Sequence, residues 1–145
     1  RDHQGLITLK WDHQAIDWMR ANLLGSPIVA EGHTPAYRWG SRVSVYTGLP
    51  TIIGWEWHQI QQRFDYEHEV KRRINQVERL FTTESEEEAF NILDEYNVRY
   101  IYVGQLEHLY YPEVGLEKFT RMEKERQIDI VYKNQEVTLY KVNQR

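Results

Sequence analysis

The chain has 145 residues, a formal net charge of −4 and no cysteine, and 41% of its residues are hydrophobic. This length and apolar content predict a single domain, residues 1–145, and the acidic balance argues against a nucleic-acid partner, because phosphate binding requires a basic face. Disulfides and thiolate metal sites are excluded, and no apolar run reaches the roughly 18 residues that would span a bilayer.

The first predicted unit is a helix followed by a strand. Asp12 is suited to N-cap a helix whose apolar residues recur on one face, and Gly25 is placed to end it. Pro27 then opens the short apolar run Ile28-Val29-Ala30, which is typical of a buried strand.

The next part of the chain predicts two helices and a second strand. Apolar residues recur at spacings of three and four between Tyr66 and Phe81, which indicates an amphipathic helix with a charged outer face. Ser85-Glu86-Glu87-Glu88 is a capping-box pattern that begins another helix, and Asn97 suits the left-handed conformation that stops it. The strand is predicted at residues 98–103. Strands separated by helices are usually parallel.

The C-terminal residues alternate in hydrophobicity as a β-hairpin does. Ile128, Ile130 and Tyr132 are expected on one face, and a second strand returns after a turn near Asn134. We expect this hairpin to extend the edge of the sheet. The predicted fold class is therefore α/β: a three-layer domain with a mostly parallel, Rossmann-like sheet, helices on both faces and a C-terminal antiparallel hairpin.

The residues from Glu31 to Arg63, called the aromatic segment below, have no clear helical or strand period. The segment contains three of the five tryptophans. Long aperiodic segments in compact domains are usually functional loops or disordered, and disordered segments are poor in aromatic residues. Glu31 and His33 follow the first predicted strand, at the edge where open α/β sheets bind ligands. We therefore expect the functional residues to lie in this segment.

Gly54-Trp55-Glu56-Trp57-His58 is the part of the segment most typical of ligand binding. Two indole rings that flank a carboxylate, next to an imidazole, supply the stacking faces and hydrogen-bond partners that sugars require. The alternative is that one tryptophan fills the core while the other lies on the surface. Thr47-Gly48-Leu49-Pro50-Thr51 predicts a tight turn, whose role is either structural or ligand-binding.

The sequence predicts no catalytic residue, no metal and no cofactor. The histidines and glutamates lack the spacing of metal ligands, no serine lies in a nucleophile elbow, and there is no phosphate-cradling glycine loop. A free-standing sugar-active enzyme would need two carboxylates about 5 to 10 Å apart in a cleft. Glu31 with Glu56 is the one pair that we would test for this alternative.

The sequence from Ser41 to Arg63, SRVSVYTGLPTIIGWEWHQIQQR, resembles the C-terminal soluble part of an uncharacterised family of polytopic membrane proteins, the Chlor_Arch_YYY type. That family carries a similar pattern, R-x-S-x-x-T-G-L-P-T-x-x-G-W-x-x-H-x-x-x-x-R. It is matched here at Arg42, Ser44, Thr47 to Thr51, Gly54, Trp55, His58 and Arg63. The resemblance continues through the strand at residues 98–103 and so covers most of the chain.

The order of elements is also similar to that of the soluble domains of membrane-embedded glycosyltransferases of the C superfamily, including the catalytic subunit of oligosaccharyltransferases. This likeness is one of layout. That subunit has a tryptophan-tryptophan-aspartate-tyrosine-glycine acceptor motif after its first strand, where this chain has Glu31-Gly32-His33. Such transferases are expected to hold their catalytic carboxylates in loops between membrane helices and to use a lipid-linked sugar as donor.

These resemblances imply a non-catalytic soluble domain of a polytopic membrane glycosyltransferase-like protein that contributes to acceptor or lipid-linked sugar recognition. The domain is expected on the extracytoplasmic side, docked on the transmembrane portion of its own full-length chain. Because the sequence opens with Arg1 rather than Met, we expect a domain excised from a longer protein. The alternative is an interaction or assembly module of a membrane protein without glycosyl chemistry, which an exposed apolar patch would indicate.

The substrate-binding residues expected from this interpretation combine aromatic rings, carboxylates, imidazoles and two guanidinium groups. The arginines suit phosphate or carboxylate, because a guanidinium forms paired hydrogen bonds with either group. The full set is Glu31, His33, Tyr37, Arg42, Thr47, Trp55, Glu56, His58 and Arg63.

Overall fold

The computed structural model describes residues 9–32, 43, 47–53 and 66–143, and within these ranges it contains five helices and four strands. None of the helices in this part of the chain is both long and apolar enough to cross a membrane. In chain order the elements are α1 (Leu9–Asn22), β1 (Ile28–Ala30), α2 (Tyr66–Thr82), α3 (Glu86–Glu95), β2 (Val98–Val103), α4 (Gln105–Tyr110), α5 (Glu113–Lys124), β3 (Ile128–Lys133) and β4 (Thr138–Val142).

Helix α1 packs on the sheet through an apolar stripe and one buried carboxylate. Ala15 and Met19 lie one helical turn apart, and both are buried in the same cluster as Tyr102 of β2. Asp12 is not the N-cap predicted from the sequence, because α1 already begins at Leu9 and Asp12 lies in its first turn. Its buried Oδ1 instead accepts a hydrogen bond from the Tyr102 hydroxyl. The residue chosen as a cap therefore links the helix to the sheet.

Helix α3 begins and ends where the sequence predicts. Ser85 is its N-cap, and the Ser85 hydroxyl accepts a hydrogen bond from the Glu88 amide at 3.1 Å. The reciprocal half of the predicted capping box is wrong, because the Glu88 carboxylate binds Thr83 and Arg79, while the Ser85 amide donates to the Thr83 hydroxyl. Asn97, just beyond the helix, has a φ of 54°, as the left-handed stop requires.

Within the described ranges the sheet has four strands, in the order β1-β2-β4-β3. Strands β1 and β2 pair in parallel, as predicted, whereas β2 with β4 and β3 with β4 pair antiparallel. The prediction of a mostly parallel, Rossmann-like sheet is therefore wrong. Two strands joined by a short loop can pair only as an antiparallel hairpin, and β4 places that hairpin directly beside β2 instead of beyond a further parallel strand.

Helices cover both faces of this sheet. Successive residues of β2 alternate between two buried clusters: Ile101 and Val103 belong to one, and Tyr102 belongs to the other. The cluster around Ile101 also contains buried residues of α2, α3 and α5, and the cluster around Tyr102 contains those of α1. The domain is thus a mixed α/β structure whose core lies on both sides of the sheet.

A register shift in the hairpin changes which side chains share a face. Ile130 pairs with Tyr140, but Tyr132 pairs with Leu139, because an irregularity lies between Ile130 and Tyr132. Leu139 and Tyr140 are consecutive, so their side chains point to opposite faces of the sheet. Their pairing partners, Tyr132 and Ile130, therefore also point to opposite faces. The prediction that Ile128, Ile130 and Tyr132 share one face is therefore wrong. Ile130 is 41% exposed.

Candidate functional site

The candidate site lies at the carboxyl ends of β1 and β2. Because these two strands are parallel neighbours, the residues that follow them meet at one edge of the sheet. Glu31 and Gly32 follow β1, and Gly104 follows β2. This is the edge at which open α/β sheets place ligands, and the position that the sequence predicts for Glu31 is the one observed.

Glu107 of α4 joins the two strand ends. Its side chain is completely buried. Oε2 accepts a hydrogen bond from the Gly32 amide at 2.8 Å, and Oε1 accepts one from the Gly104 amide at 2.8 Å. Each oxygen of this carboxyl group accepts from a different backbone amide, so the side chain fixes the positions of the two amides relative to each other. Sequence reasoning did not identify Glu107.

The backbone at Gly32 passes so close to the side chains of Tyr111 and Glu107 that a Cβ atom would require them to shift. A Cβ atom at this position would lie 2.7 Å from Cε2 of Tyr111 and 3.0 Å from Oε2 of Glu107. The Tyr111 ring is itself held against Phe81, with ring centres 5.2 Å apart. The direction in which the chain leaves β1 is therefore set by a hydrogen bond on one side and a packed ring on the other.

Glu31 connects the end of β1 to a later point of the aromatic segment. Its side chain is 5% exposed. Oε1 accepts a hydrogen bond from the Val43 amide at 3.3 Å. Val43 is itself fully buried and packs in the cluster on the α1 face of the sheet. The Glu31 carboxylate thus lies inside the domain at the sheet edge, where it contacts the backbone of the segment.

The stretch at residues 47–51 runs beside β1, and the positive φ that the sequence predicts for Gly48 is confirmed, whereas the tight turn itself remains a prediction. Gly48 has a φ of 76°, and the Thr47 hydroxyl donates to the Val43 carbonyl and accepts from the Leu49 amide. The Val29 amide donates to the carbonyl of residue 50 at 2.9 Å, and Thr51 forms a parallel bridge with Val29. The Thr47 hydroxyl therefore links the backbone of Val43 to that of Leu49, and a ligand-binding role for it remains a prediction.

Glu31 and Thr47 each form a hydrogen bond with the backbone of Val43, Glu31 with its amide and Thr47 with its carbonyl. The other seven predicted site residues, and with them the carboxylate pair of Glu31 and Glu56, lie outside the described residues. They are His33, Tyr37, Arg42, Trp55, Glu56, His58 and Arg63. Among the described ranges, no group of three or more His, Asp or Glu side chains could hold a metal ion.

Lys118 of α5 is a buried cation that the sequence analysis did not single out. Its side chain is completely buried. Its Nζ donates a hydrogen bond to the Gly115 carbonyl at 2.6 Å and lies 4.1 Å from the centre of the Phe119 ring. Removal from water, together with the charge of Arg121, lowers the pKa of the Lys118 amine from 10.5 to about 7, and the charge of Glu88 opposes this change.

The fold that positions these residues is similar to that of solved C-terminal globular domains of oligosaccharyltransferase. One member, AfAglB-S2 from Archaeoglobus fulgidus, matches with a TM-score of 0.58 and 16% identity, over 94% of this chain and 99% of that domain. Another such domain from the same organism matches with a TM-score of 0.51 and 17% identity, over 96% and 98% of the two chains.

At this level of identity the likeness shows the fold alone. It agrees with the similarity of layout to oligosaccharyltransferase domains that the sequence indicates. No protein-family model matches the chain, and no curated protein matches its sequence. The resemblance to the Chlor_Arch_YYY type therefore remains a prediction.

Proposed function

We propose that this chain is a non-catalytic domain of a polytopic membrane glycosyltransferase-like protein, and that it contributes to recognition of the acceptor or of the lipid-linked sugar. The observation that carries the proposal is the fold shared with a C-terminal globular domain of oligosaccharyltransferase, over 94% of this chain and 99% of that domain. The motif that resembles Chlor_Arch_YYY proteins supports it, because the motif lies in the aromatic segment that leaves the carboxyl edge of β1.

In this proposal the sheet edge supports the segment, and the segment makes the contacts. Glu107 and the crowded backbone at Gly32 fix where the chain leaves β1. Trp55 and His58 contact the sugar or the partner, and the guanidinium groups of Arg42 and Arg63 bind phosphate or carboxylate. The domain docks from the extracytoplasmic side on the transmembrane portion of its own chain, which holds the catalytic carboxylates.

The test uses the full-length protein in its own membrane. Trp55 and Arg63 are replaced separately by alanine, and the glycan output on lipid and protein is measured by mass spectrometry. We expect a several-fold loss for each variant with unchanged protein level. Glu87→Ala, an exposed residue of α3, is the matched control. Normal glycan output from both folded variants would disprove the proposed contacts.

A second candidate function is an assembly module without glycosyl chemistry. It is favoured by a set of three exposed apolar side chains. Leu109, Tyr110 and Val114 lie close together in the chain just after Glu107, and they are 37%, 37% and 48% exposed. Such side chains suit packing against transmembrane helices or another subunit. Replacing Leu109 and Val114 with serine in the full-length protein would then detach the domain from its partner. Added protease would release the domain from the membrane more readily, while glycan output stays unchanged. Loss of glycan output without release would contradict this function.

A further inference from the structure

A cleft of about 390 Å³ opens between α5 and the loop that joins β3 to β4. Val103, the last residue of β2, and Leu116 contribute apolar surface to it. Because Val103 is followed at once by Gly104, which donates to Glu107, the cleft lies next to the candidate site. Ligand pockets of this size generally combine an apolar surface with a few polar groups.

The two walls of the cleft carry polar side chains that the fold does not use. Glu117 comes from α5, whereas Lys133 and Glu136 come from β3 and the loop. Within the described ranges, these three side chains form no ion pair and no side-chain hydrogen bond. Both walls therefore offer hydrogen-bonding groups to a ligand, with acceptors on each wall and a donor on one.

The loop wall is held in place before any ligand arrives. The Asn134 amide nitrogen donates to the Trp11 carbonyl at 2.9 Å and to the Tyr132 hydroxyl at 3.2 Å. Its oxygen accepts from the amides of Glu136 and Val137 at 3.0 and 2.9 Å. Asn134 thus ties the loop to α1 and to the hairpin. A wall that is already ordered loses little conformational entropy on binding.

The charges of the cleft select the class of ligand. Its carboxylates outnumber its cations, since Glu113 is paired with His108 at 3.1 Å and Lys133 is accompanied by both Glu117 and Glu136. A phosphate would be repelled by this surplus of negative charge. A neutral polyhydroxyl compound would not, because hydroxyl groups both donate to carboxylates and accept from an ammonium group.

We propose that this cleft binds a neutral sugar residue of the glycan. The proposal rests on the function proposed above and adds to it a contact on α5 and the β3–β4 loop, separate from the aromatic segment. Glu117 and Glu136 accept hydrogen bonds from the sugar hydroxyls across the cleft, and Lys133 donates to one of them. The apolar surface of the cleft contacts the carbon-bound hydrogens of the ring.

The test is a titration of the ¹⁵N-labelled 145-residue chain with the methyl glycosides of glucose, mannose, galactose and N-acetylglucosamine. We expect saturable shifts of the backbone amides of residues 113–120 and 133–138 with at least one glycoside. The double variant Glu117→Ala with Glu136→Ala should weaken this binding about tenfold or more, because two hydrogen bonds are lost. Glu87→Ala should leave it unchanged.

Three other results would overturn the proposal. One is the absence of cleft shifts with every glycoside. The second is binding of trilysine, but of no glycoside, to the cleft, which would identify it as a site for cationic peptides. The third is a set of glycoside shifts confined to residues 31–63, which would leave the proposed function standing without the cleft. The function itself fails separately, through normal glycan output from the Trp55 and Arg63 variants.

Discussion

The Glu107 carboxylate accepts a hydrogen bond from the Gly32 amide at 2.8 Å, although 75 residues separate the two in the chain. Its second oxygen accepts one from the Gly104 amide at 2.8 Å. One buried side chain therefore joins the points at which both parallel strands end. The geometry of the sheet edge, and hence the start of the aromatic segment, depends on this residue.

Replacement of Glu107 by glutamine is expected to lower the free energy of unfolding by about 2 to 4 kcal/mol, because a carboxamide offers one oxygen to two buried donors. Urea denaturation of both proteins measures the change. Glu117→Gln, an exposed carboxylate on α5, should change stability by less than about 0.5 kcal/mol. A loss for Glu107→Gln no larger than for this control would contradict the role of Glu107.

Replacement of Gly32 by alanine should cost about 1 to 3 kcal/mol, because the new methyl group would overlap the Tyr111 ring. In a Tyr111→Leu background the same replacement should cost measurably less, since the ring atom that it meets is gone. A double-mutant cycle by urea denaturation measures this coupling. Equal costs in the two backgrounds would show that crowding by Tyr111 is not the reason for the glycine.

Lys118 makes stability depend on pH in a defined direction. Its pKa is lowered from 10.5 to about 7 in the folded chain, so between these values the unfolded chain holds the proton more firmly. The free energy of unfolding therefore rises as the pH increases from about 7 to 10.5, and the full cost of burying the charge applies below pH 7.

Lys118→Met should remove this dependence and stabilise the protein by about 1 to 4 kcal/mol below neutral pH, because a charge is replaced by an apolar side chain of similar size. Thermal denaturation across the pH range tests it. Lys124→Met, exposed on the same helix, should leave the slope unchanged. A pH slope in Lys118→Met equal to that of the parent protein would exclude Lys118 as its source.

Tyr102→Phe should cost about 1 to 3 kcal/mol, since it leaves the buried Asp12 carboxylate without the hydroxyl donor. Tyr100 lies on the same strand and also packs in the cluster on the α1 face, but it is only partly buried. Tyr100→Phe should change stability by less than about 0.5 kcal/mol. Urea denaturation of the two variants tests the prediction, and equal losses would show that the bond to Asp12 contributes nothing.

Helix and strand positions were predictable where the signal is local. Ser85 and Asn97 define the ends of α3 through their own backbone and side-chain chemistry. The apolar spacing over residues 66–81 gives α2 correctly. Helix α5 was missed although Leu116, Phe119 and Met122 have helical spacing, because Gly115 and Lys118 interrupt its apolar face with residues that do not suggest a core.

Sheet pairing and the site residues depend on contacts between distant parts of the chain. Nothing near β4 in the sequence indicates that it pairs with β2. The carboxyl edge and Glu31 were predictable from the strand pattern, whereas Glu107 was not, since one of its partners is Gly32. A weak signal existed: Glu107 lies three residues after Gly104, the spacing of a capping box.

The interior position of β4 has a consequence for synthesis on the ribosome. Among the described strands β3 pairs with β4 alone, and β4 also pairs with the side of β2 that faces away from β1. A nascent chain that has emerged only to residue 137 therefore exposes an unpaired side of β2 while β3 has no strand to join. The four-strand arrangement therefore cannot be complete before residues 138–142 have left the exit tunnel, because they lie between two strands that are synthesised before them.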